Sequence, residues 1–190
     1  MVAYTSLYFW ATIYTGFYIM KIRELLKEKA YINLDIEGGY NPQKGFLTMH
    51  HEMISGVDLV WDYRRIPYPF PDRSMDLVRA DRVLEKVPRE NGEFIRFMDE
   101  IWRILKYDEK FMIATPYANA YQYYQDPLNV NPLNEAVFSY FDPLEEIAGK
   151  LLYKRYKPKP WKIEHITFQV NGLMEVLLSK RREDKGYGQT

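Results

Sequence analysis

Seven short apolar runs constrain the fold of this sequence more than any other feature. Each is four to six residues long, is rich in Val, Ile, Phe, Leu or Tyr, and is bounded by Gly, Pro, Asn or charged residues. Runs of this kind predict buried β-strands. The last two are joined by Asn171-Gly172, a dipeptide typical of tight hairpins. The runs are Tyr31–Ile36, Phe46–Met49, Val57–Trp61, Met75–Ala80, Phe111–Thr115, His165–Val170 and Met174–Ser179.

The connections between the runs select the fold class. Residues 90–106 repeat apolar side chains at helical intervals, which predicts one crossover helix. Gly38–Gly45 and His50–Gly56 are too short for full helices, and Arg64–Ser74 holds three prolines and must be a loop. The sequence therefore predicts an α/β fold. It is a trimmed, doubly wound and mostly parallel sheet with a C-terminal antiparallel hairpin.

Composition limits the function. A chain of 190 residues with 47% apolar residues suggests one packed domain, which we place at residues 31–182. Cysteine is absent, which excludes disulfides, thiolate nucleophiles and cysteine-ligated metals. The net charge is zero, so capture of nucleic acid by overall charge has no support. The predicted location is cytoplasmic, with a larger assembly such as a virus particle as the alternative.

The amino-terminal segment is aromatic and carries no charge before Lys21. About 20 uncharged residues would cross a bilayer. However, residues 1–20 contain four Tyr and three Thr, and their aromatic residues are spread evenly rather than collected at the ends. We therefore expect them to dock on the domain or on a partner, with membrane contact as the alternative. The predicted divisions are an aromatic segment with a charged helix at 1–30, the domain at 31–182 and a tail at 183–190.

Candidate site residues follow the predicted strands. In open α/β sheets, ligands bind beyond the carboxyl ends of the strands. The segments at those ends are Asp35–Asn41, His50–Glu52, Asp62–Tyr63, Asp81–Glu85 and Pro116–Asn119.

Three motifs carry a family resemblance. They are GVDLVWDYRRIPYPFPDRSMDLVRADRVLEKV at 56–87, EIWRILK at 100–106 and YQDPLNVNPLNEAVFSYF at 124–141. Together with the glycine loop after the first strand, they resemble the small class I methyltransferases that use S-adenosylmethionine. The resemblance covers residues 32–142 and 161–181. It implies the fold predicted above and a cofactor held at the first loop.

The resemblance implies that Asp35, Gly38, Gly39 and Asp62 hold the cofactor. Asp35 would face its cationic methionyl group, and Asp62 would read its adenine. The alternatives are that Asp35 caps a turn through nearby amides and that Asp62 accepts from amides before the prolines. The family carries G-x-G in the first loop, whereas Glu37 stands at one of these glycine positions. A carboxylate there adds bulk where bare backbone should approach the cofactor.

Other positions typical of the family are also replaced. Where the family has an acid that holds the ribose, this sequence has His50, with Glu52 two residues further on. Where the family has a pair of histidines, this sequence has Arg82 and Lys86. We therefore predict a degenerate cofactor loop and a protein that is weakly active or inactive and serves a structural or assembly role. The alternative is an active methyltransferase on an unknown acceptor, with Glu85 as its candidate base.

The adjacent histidines His50 and His51 are candidate metal ligands. Adjacent strand residues point to opposite faces, so His50 and His51 are not expected to share an ion, and no metal site is predicted.

The Tyr-rich segment 117–124 could stack a flat substrate or form a protein contact. With residues 1–20, it is the predicted surface for a protein partner or a homo-oligomer. Basic and aromatic residues alternate at 150–162, but acidic neighbours dilute them, so nucleic acid is not the expected partner.

Overall fold

The computed structural model describes residues 31–144 and 149–183, together with Glu24, Leu26 and Lys27. Within these residues, seven strands form one sheet in the order β3-β2-β1-β4-β5-β7-β6. The strands are β1 (Asn33–Ile36), β2 (Phe46–His50), β3 (Leu59–Val60), β4 (Met75–Asp81), β5 (Leu105–Pro116), β6 (Trp161–Phe168) and β7 (Leu173–Lys180).

The sheet has the predicted architecture. Strands β1 to β5 pair in parallel, and β7 runs antiparallel between β5 and β6 as the C-terminal hairpin. The α/β fold class is therefore confirmed. β5 begins at Leu105 rather than Phe111, because its charged first half finds partners elsewhere in the sheet: Lys106 pairs with Asp76 on β4, and Lys110 pairs with Glu164 on β6.

Helices are few and mostly short in the described part of the chain. They are α1 (Glu93–Ile104), α2 (Tyr121–Gln125), α3 (Glu135–Ser139) and α4 (Gly149–Tyr156). Helix α1 is the predicted crossover, and its buried face includes Phe94, Phe97 and Ile101. In place of a helix between β1 and β2, the chain makes only a 3₁₀ turn at Gly38–Tyr40. This short turn is the trimming that the loop lengths predicted.

Arg103 on α1 fastens the proline-rich loop that precedes β4. Its guanidinium donates to the backbone oxygens of Tyr68 at 3.2 Å and Phe70 at 2.8 Å. It also pairs with Glu100 at 2.7 Å and Asp72 at 2.7 Å. Glu100 is 4% exposed and accepts from the amide of Tyr68 as well. The loop is thus tied to the helix by a charge network that is buried at Glu100 and exposed at Asp72, and this network fixes the entry to β4.

No helix in the described ranges is long and apolar enough to cross a membrane. Residues 1–20, on which the membrane and docking predictions fall, lie outside the described residues. Those predictions and the proposed domain divisions stay predictions.

Candidate ligand cleft at the strand-order reversal

A cleft of about 950 Å³ opens at the carboxyl ends of β1 and β4. Strands β2 and β3 follow β1 on one side of it, whereas β4 and β5 lie on its other side. The strand order therefore reverses between β1 and β4. Reversal points are where open α/β sheets bind ligands, and the volume suits a nucleotide-sized molecule. Among the predicted site residues, Asp35, Gly38 and Glu85 line the cleft, whereas Gly39 and Asp62 are not among its lining.

Asp35 is fully buried and is paired with an arginine of the next strand. Nη1 of Arg79 lies 3.0 Å and 3.1 Å from the two carboxylate oxygens of Asp35, while Nη2 reaches Asp81 at 2.9 Å. The contact follows from the register, in which Asp35 lies directly beside Arg79. Burial raises the pKa of Asp35, although the charge and hydrogen bonds of Arg79 act in the opposite direction. A cation of the protein itself therefore occupies the position expected for a ligand's cation.

The two loop glycines make room for side chains of the protein. A Cβ at Gly38 would lie 2.2 Å from Oδ2 of Asp35. A Cβ at Gly39 would lie 2.7 Å from the ring of His50 and from Ile54. Both glycines are thus required by packing within the chain, whatever ligand the cleft receives.

Glu37 adopts the left-handed backbone conformation, with φ 60° and ψ 23°. This conformation favours glycine, so the residue stands where a glycine would be expected. Its carboxylate is held by the next strand end. It accepts from the amide of His51 at 3.1 Å and contacts Nδ1 of the same residue at 2.6 Å.

The expectation that His50 and His51 point apart is wrong. Their rings stack with centroids 4.5 Å apart, and both approach Glu37. The alternation rule fails because β2 ends at His50, so His51 no longer has strand geometry. Glu37, His50 and His51 place possible ligand atoms within 4.8 Å of one another. However, Nδ1 of His50 accepts from the amide of Glu52 at 3.0 Å, so the ring proton is on Nε2. Nε2, which faces Glu37, therefore has no lone pair with which to bind a metal ion.

Asp62 lies beside the cleft and binds its own loop. It accepts from the amide of Arg64 at 2.9 Å and from the guanidinium of the same residue at 2.9 Å. Hydrogen bonds from Arg64 lower the pKa of Asp62, although partial burial opposes them. This geometry matches the alternative in which Asp62 accepts from amides of the proline-rich loop.

Glu85 is the most deeply buried carboxyl group of the cleft lining apart from Asp35. It is 1% exposed and lies in a 3₁₀ turn directly after β4. Burial raises its pKa to about 7, although Thr115 on β5 donates to its Oε2 at 3.1 Å. Among the described residues, no arginine or lysine forms an ion pair with Glu85 as Arg79 does with Asp35, so Glu85 can gain or lose a proton near neutral pH.

The Tyr-rich segment borders the cleft, to whose lining it contributes Gln122, and is called the rim below. Tyr123 is buried, whereas Tyr121 and Tyr124 on α2 are 73% and 71% exposed. Leu128, a lining residue that follows α2, is 67% exposed. The rim is joined to the body of the cleft by an ion pair of 3.1 Å between Lys86 and Asp126.

Sequence reasoning missed two residues of this site. Arg79 was treated only as part of an apolar strand run, yet a charge inside such a run requires a buried partner, and that signal was present. Thr115 was assigned to a strand without a role, and nothing in the sequence indicates that it faces Glu85.

Comparisons with known proteins bear on the fold. No family model matches the sequence, and no curated protein matches it. Solved structures do resemble it. The SAM-dependent (S-adenosylmethionine-dependent) methyltransferase of Archaeoglobus fulgidus matches with TM-score 0.56 and 12% identity, covering 85% of this chain and 92% of the other. The fold is that of a class I methyltransferase.

Two further structures give the same result at low identity. The 16S rRNA (adenine(1408)-N(1))-methyltransferase of Catenulisporales acidiphilia, solved with its cosubstrate SAM, matches with TM-score 0.55 and 8% identity over 88% of this chain and 93% of that chain. The YcgJ protein of Bacillus subtilis matches with TM-score 0.51 and 11% identity over 88% and 99%. At these identities the likeness concerns the fold alone.

Proposed function

We propose that this methyltransferase-fold protein transfers methyl groups weakly or not at all, and that it acts through binding to other proteins. The observation that carries the proposal is the pairing of Asp35 with Arg79 inside the cleft, at 3.0 Å. A methionyl ammonium or a sulfonium approaching Asp35 would meet the guanidinium already held there. Like charges at such separations repel strongly where water is excluded.

The first loop supports the same proposal. Side chains of Asp35 and His50 fill the positions that Cβ atoms at Gly38 and Gly39 would take. Glu37 adds a carboxylate that would oppose the methionyl carboxylate of S-adenosylmethionine. The protein's own side chains thus crowd the part of the cleft where the cofactor would lie. We call the first loop degenerate for this reason.

Isothermal calorimetry with S-adenosylmethionine and with its demethylated product tests this proposal. We expect no heat of binding at millimolar ligand for the wild type. The variant Glu37→Gly restores glycine at a left-handed position and removes the charge, so any affinity that this residue blocks should appear in it. Asp108→Gly replaces another acidic residue with positive φ (66°) outside the cleft lining, so it is the matched control and should behave as the wild type. Micromolar binding by the wild type would overturn the proposal.

An active methyltransferase is the second candidate. Its support is Glu85, whose pKa of about 7 suits a general base beside a cleft of about 950 Å³. In that case S-adenosylmethionine would supply the electrophilic methyl group, and Glu85 would take the proton from the attacking oxygen or nitrogen. Micromolar cofactor binding, with turnover lost in Glu85→Gln, would favour this candidate over the first.

The exposed rim supports a protein partner. Tyr121 and Tyr124 are three residues apart on α2 and present two large rings on one side of the helix. Tyrosine is favoured in interface cores because it buries a large area and keeps a polar end. We propose that residues 117–124, with residues 1–20, contact a partner or a second copy of the chain. The cytoplasmic location and its alternative, a place in an assembly such as a virus particle, stay predictions.

A double substitution on the rim tests the contact. Tyr121→Ser with Tyr124→Ser removes the two exposed rings and should leave the melting temperature unchanged. If the full chain is oligomeric by analytical ultracentrifugation, the variant should shift toward the monomer. Val170→Ser, on a still more exposed position of the β6–β7 hairpin, serves as control. An unchanged oligomer in the rim variant would count against the proposed surface.

A further inference from the structure

We infer that the cleft contains a subsite for a ligand bearing N–H donors, such as an amidinium or a protonated amine, held by Glu85 and Asn129. This end of the cleft, formed by Glu85 and the segment 129–131, is called the Glu85 subsite below. It lies apart from the Asp35–Arg79 pair beside the first loop. The inference holds whether or not the chain binds S-adenosylmethionine.

The first observation is an orphaned acceptor. Asn129 lines the cleft, and its Nδ2 donates to the backbone oxygen of Tyr123 at 2.8 Å. That carbonyl can only accept, so the amide orientation is fixed. Oδ1 of Asn129 is consequently a buried acceptor with no hydrogen-bond partner among the described residues. A buried acceptor without a partner is costly, and a ligand donor would remove that cost.

The second observation is that the backbone holds Asn129 beside Glu85. The backbone oxygen of Glu85 accepts from the amides of Val130 at 2.9 Å and Asn131 at 2.8 Å. Asn131 is fully buried and donates from Nδ2 to the backbone oxygen of Leu84 at 3.1 Å. Arg89 in turn donates to Oδ1 of Asn131. The turn after β4 and the segment after α2 are therefore joined by several bonds, and the subsite is a built feature of the fold.

The third observation is the balance of charge around Glu85. Thr115 donates to its carboxylate, and the nearby charged groups are Lys86 and Asp81. Lys86 is already paired with Asp126 at 3.1 Å. Asp81 adds negative charge, and the hydroxyls of Tyr63 and Tyr123 also interact electrostatically with Glu85. Within the part of the chain that the structure describes, the buried carboxyl group thus lacks a cationic partner of its own.

These observations select the class of ligand. Glu85, once ionised, and the carbonyl of Asn129 are both acceptors, so an acceptor-only group such as a carboxylate or phosphate finds no complement here. A planar amidinium or a protonated amine supplies several donors and the missing positive charge. Raising the pH through about 7 ionises Glu85 and should strengthen the binding of a permanently charged donor.

Benzamidine is the probe, followed by ¹⁵N-resolved NMR titration of the full chain. We expect shifts confined to residues around Glu85 and 129–131. The dissociation constant should be about tenfold lower at pH 8 than at pH 6, since the ionised fraction of a group with a pKa of about 7 changes by that factor. Benzoate has the same ring with an acceptor-only group and should not bind.

Two variants separate the subsite from a structural role. Glu85→Gln should abolish the pH dependence and weaken benzamidine binding. Asn129→Leu should also weaken it, but this variant loses the hydrogen bond to the backbone oxygen of Tyr123 together with the orphan oxygen, so its melting temperature is measured as well. Glu85→Gln leaves that bond intact and decides the outcome if Asn129→Leu is unstable. Asp108→Asn, outside the cleft lining, should titrate as the wild type. The inference is overturned if benzamidine causes no shifts at pH 8, if benzoate binds equally well, or if Glu85→Gln keeps the wild-type affinity and pH profile.

Discussion

Arg79 and Asp35 form an ion pair across adjacent strands at the end of the cleft beside the first loop, with Nη1 3.0 Å from Oδ1. Asp35 is fully buried, and the side chain of Arg79 is 22% exposed. The arginine therefore reaches inward from the cleft to neutralise a carboxylate that has no contact with water. Arg79 on β4 is thus linked to Asp35 on β1, and it also binds Asp81 on its own strand at 2.9 Å.

Replacing the arginine should be strongly destabilising. Arg79→Leu leaves the carboxylate of Asp35 buried without a partner, and breaking a buried pair in this way costs about 3–5 kcal/mol. Urea denaturation at neutral pH measures the loss. The double variant Asp35→Asn with Arg79→Leu removes both charges and should recover much of the stability. If the double variant is as unstable as Arg79→Leu alone, the unpaired charge is not the cause.

Glu85 makes stability depend on pH. Burial raises its pKa from 4.5 to about 7, so the folded state holds a proton that the unfolded state releases. The favourable contribution is complete below about pH 4.5 and is lost as the pH rises through about 7. The shift corresponds to about 3 kcal/mol.

The variant Glu85→Gln isolates this effect, because it keeps the shape but cannot ionise. Urea titrations at a series of pH values give the unfolding free energies of the wild type and the variant. As the pH rises from 4 to 8, the unfolding free energy of the wild type should fall relative to that of the variant. A difference that stays constant over this range would show that the pKa of Glu85 is the same in the folded and unfolded states.

The sheet could be predicted because its signals are local. Each strand is a short apolar run between breakers, and the lengths of the connections exclude helices where the structure has turns. The first half of β5 was missed because its Lys and Glu side chains mimic a surface loop. Their partners, Asp76 and Glu164, come from distant parts of the chain.

The site was predictable in position but not in its contacts. The ends of the parallel strands gave Asp35, Gly38 and Glu85, all of which line the cleft. The partner of Asp35 depends on the register of β4 against β1, which places residues 44 positions apart side by side. Register of this kind is non-local. The stacking of His50 on His51 likewise depends on where β2 ends, which the apolar pattern does not specify.

Arg103 should be hard to replace even by lysine. Its guanidinium contacts two backbone oxygens and two carboxylates, a planar fork that an ammonium cannot reproduce. Arg103→Lys keeps the charge beside buried Glu100 and should cost about 1–3 kcal/mol, whereas Arg103→Met leaves Glu100 unpaired and should cost more. Thermal unfolding of the two variants checks the order. Equal melting temperatures would indicate that charge pairing contributes little.

Gly38 and Gly45 offer a matched test of why the first loop needs glycine. A Cβ at Gly38 would lie 2.2 Å from Oδ2 and 2.5 Å from Cγ of Asp35, which Arg79 holds in place. A Cβ at Gly45 would meet nothing within 4 Å, but its φ of +88° strains any other residue. Gly45→Ala should therefore cost only backbone strain, about 1 kcal/mol.

Gly38→Ala should cost about 2–3 kcal/mol, because the methyl group must displace a buried, paired carboxylate. Urea denaturation of the two alanine variants gives the comparison. In Gly38→Ala the displaced Asp35 should also weaken its pairing with Arg79, so substituting Arg79→Leu in that background should cost less than in the wild type. Additive losses for these two substitutions would mean that the chain accommodates the methyl group without moving Asp35, and that the glycine is not retained for the sake of the ion pair.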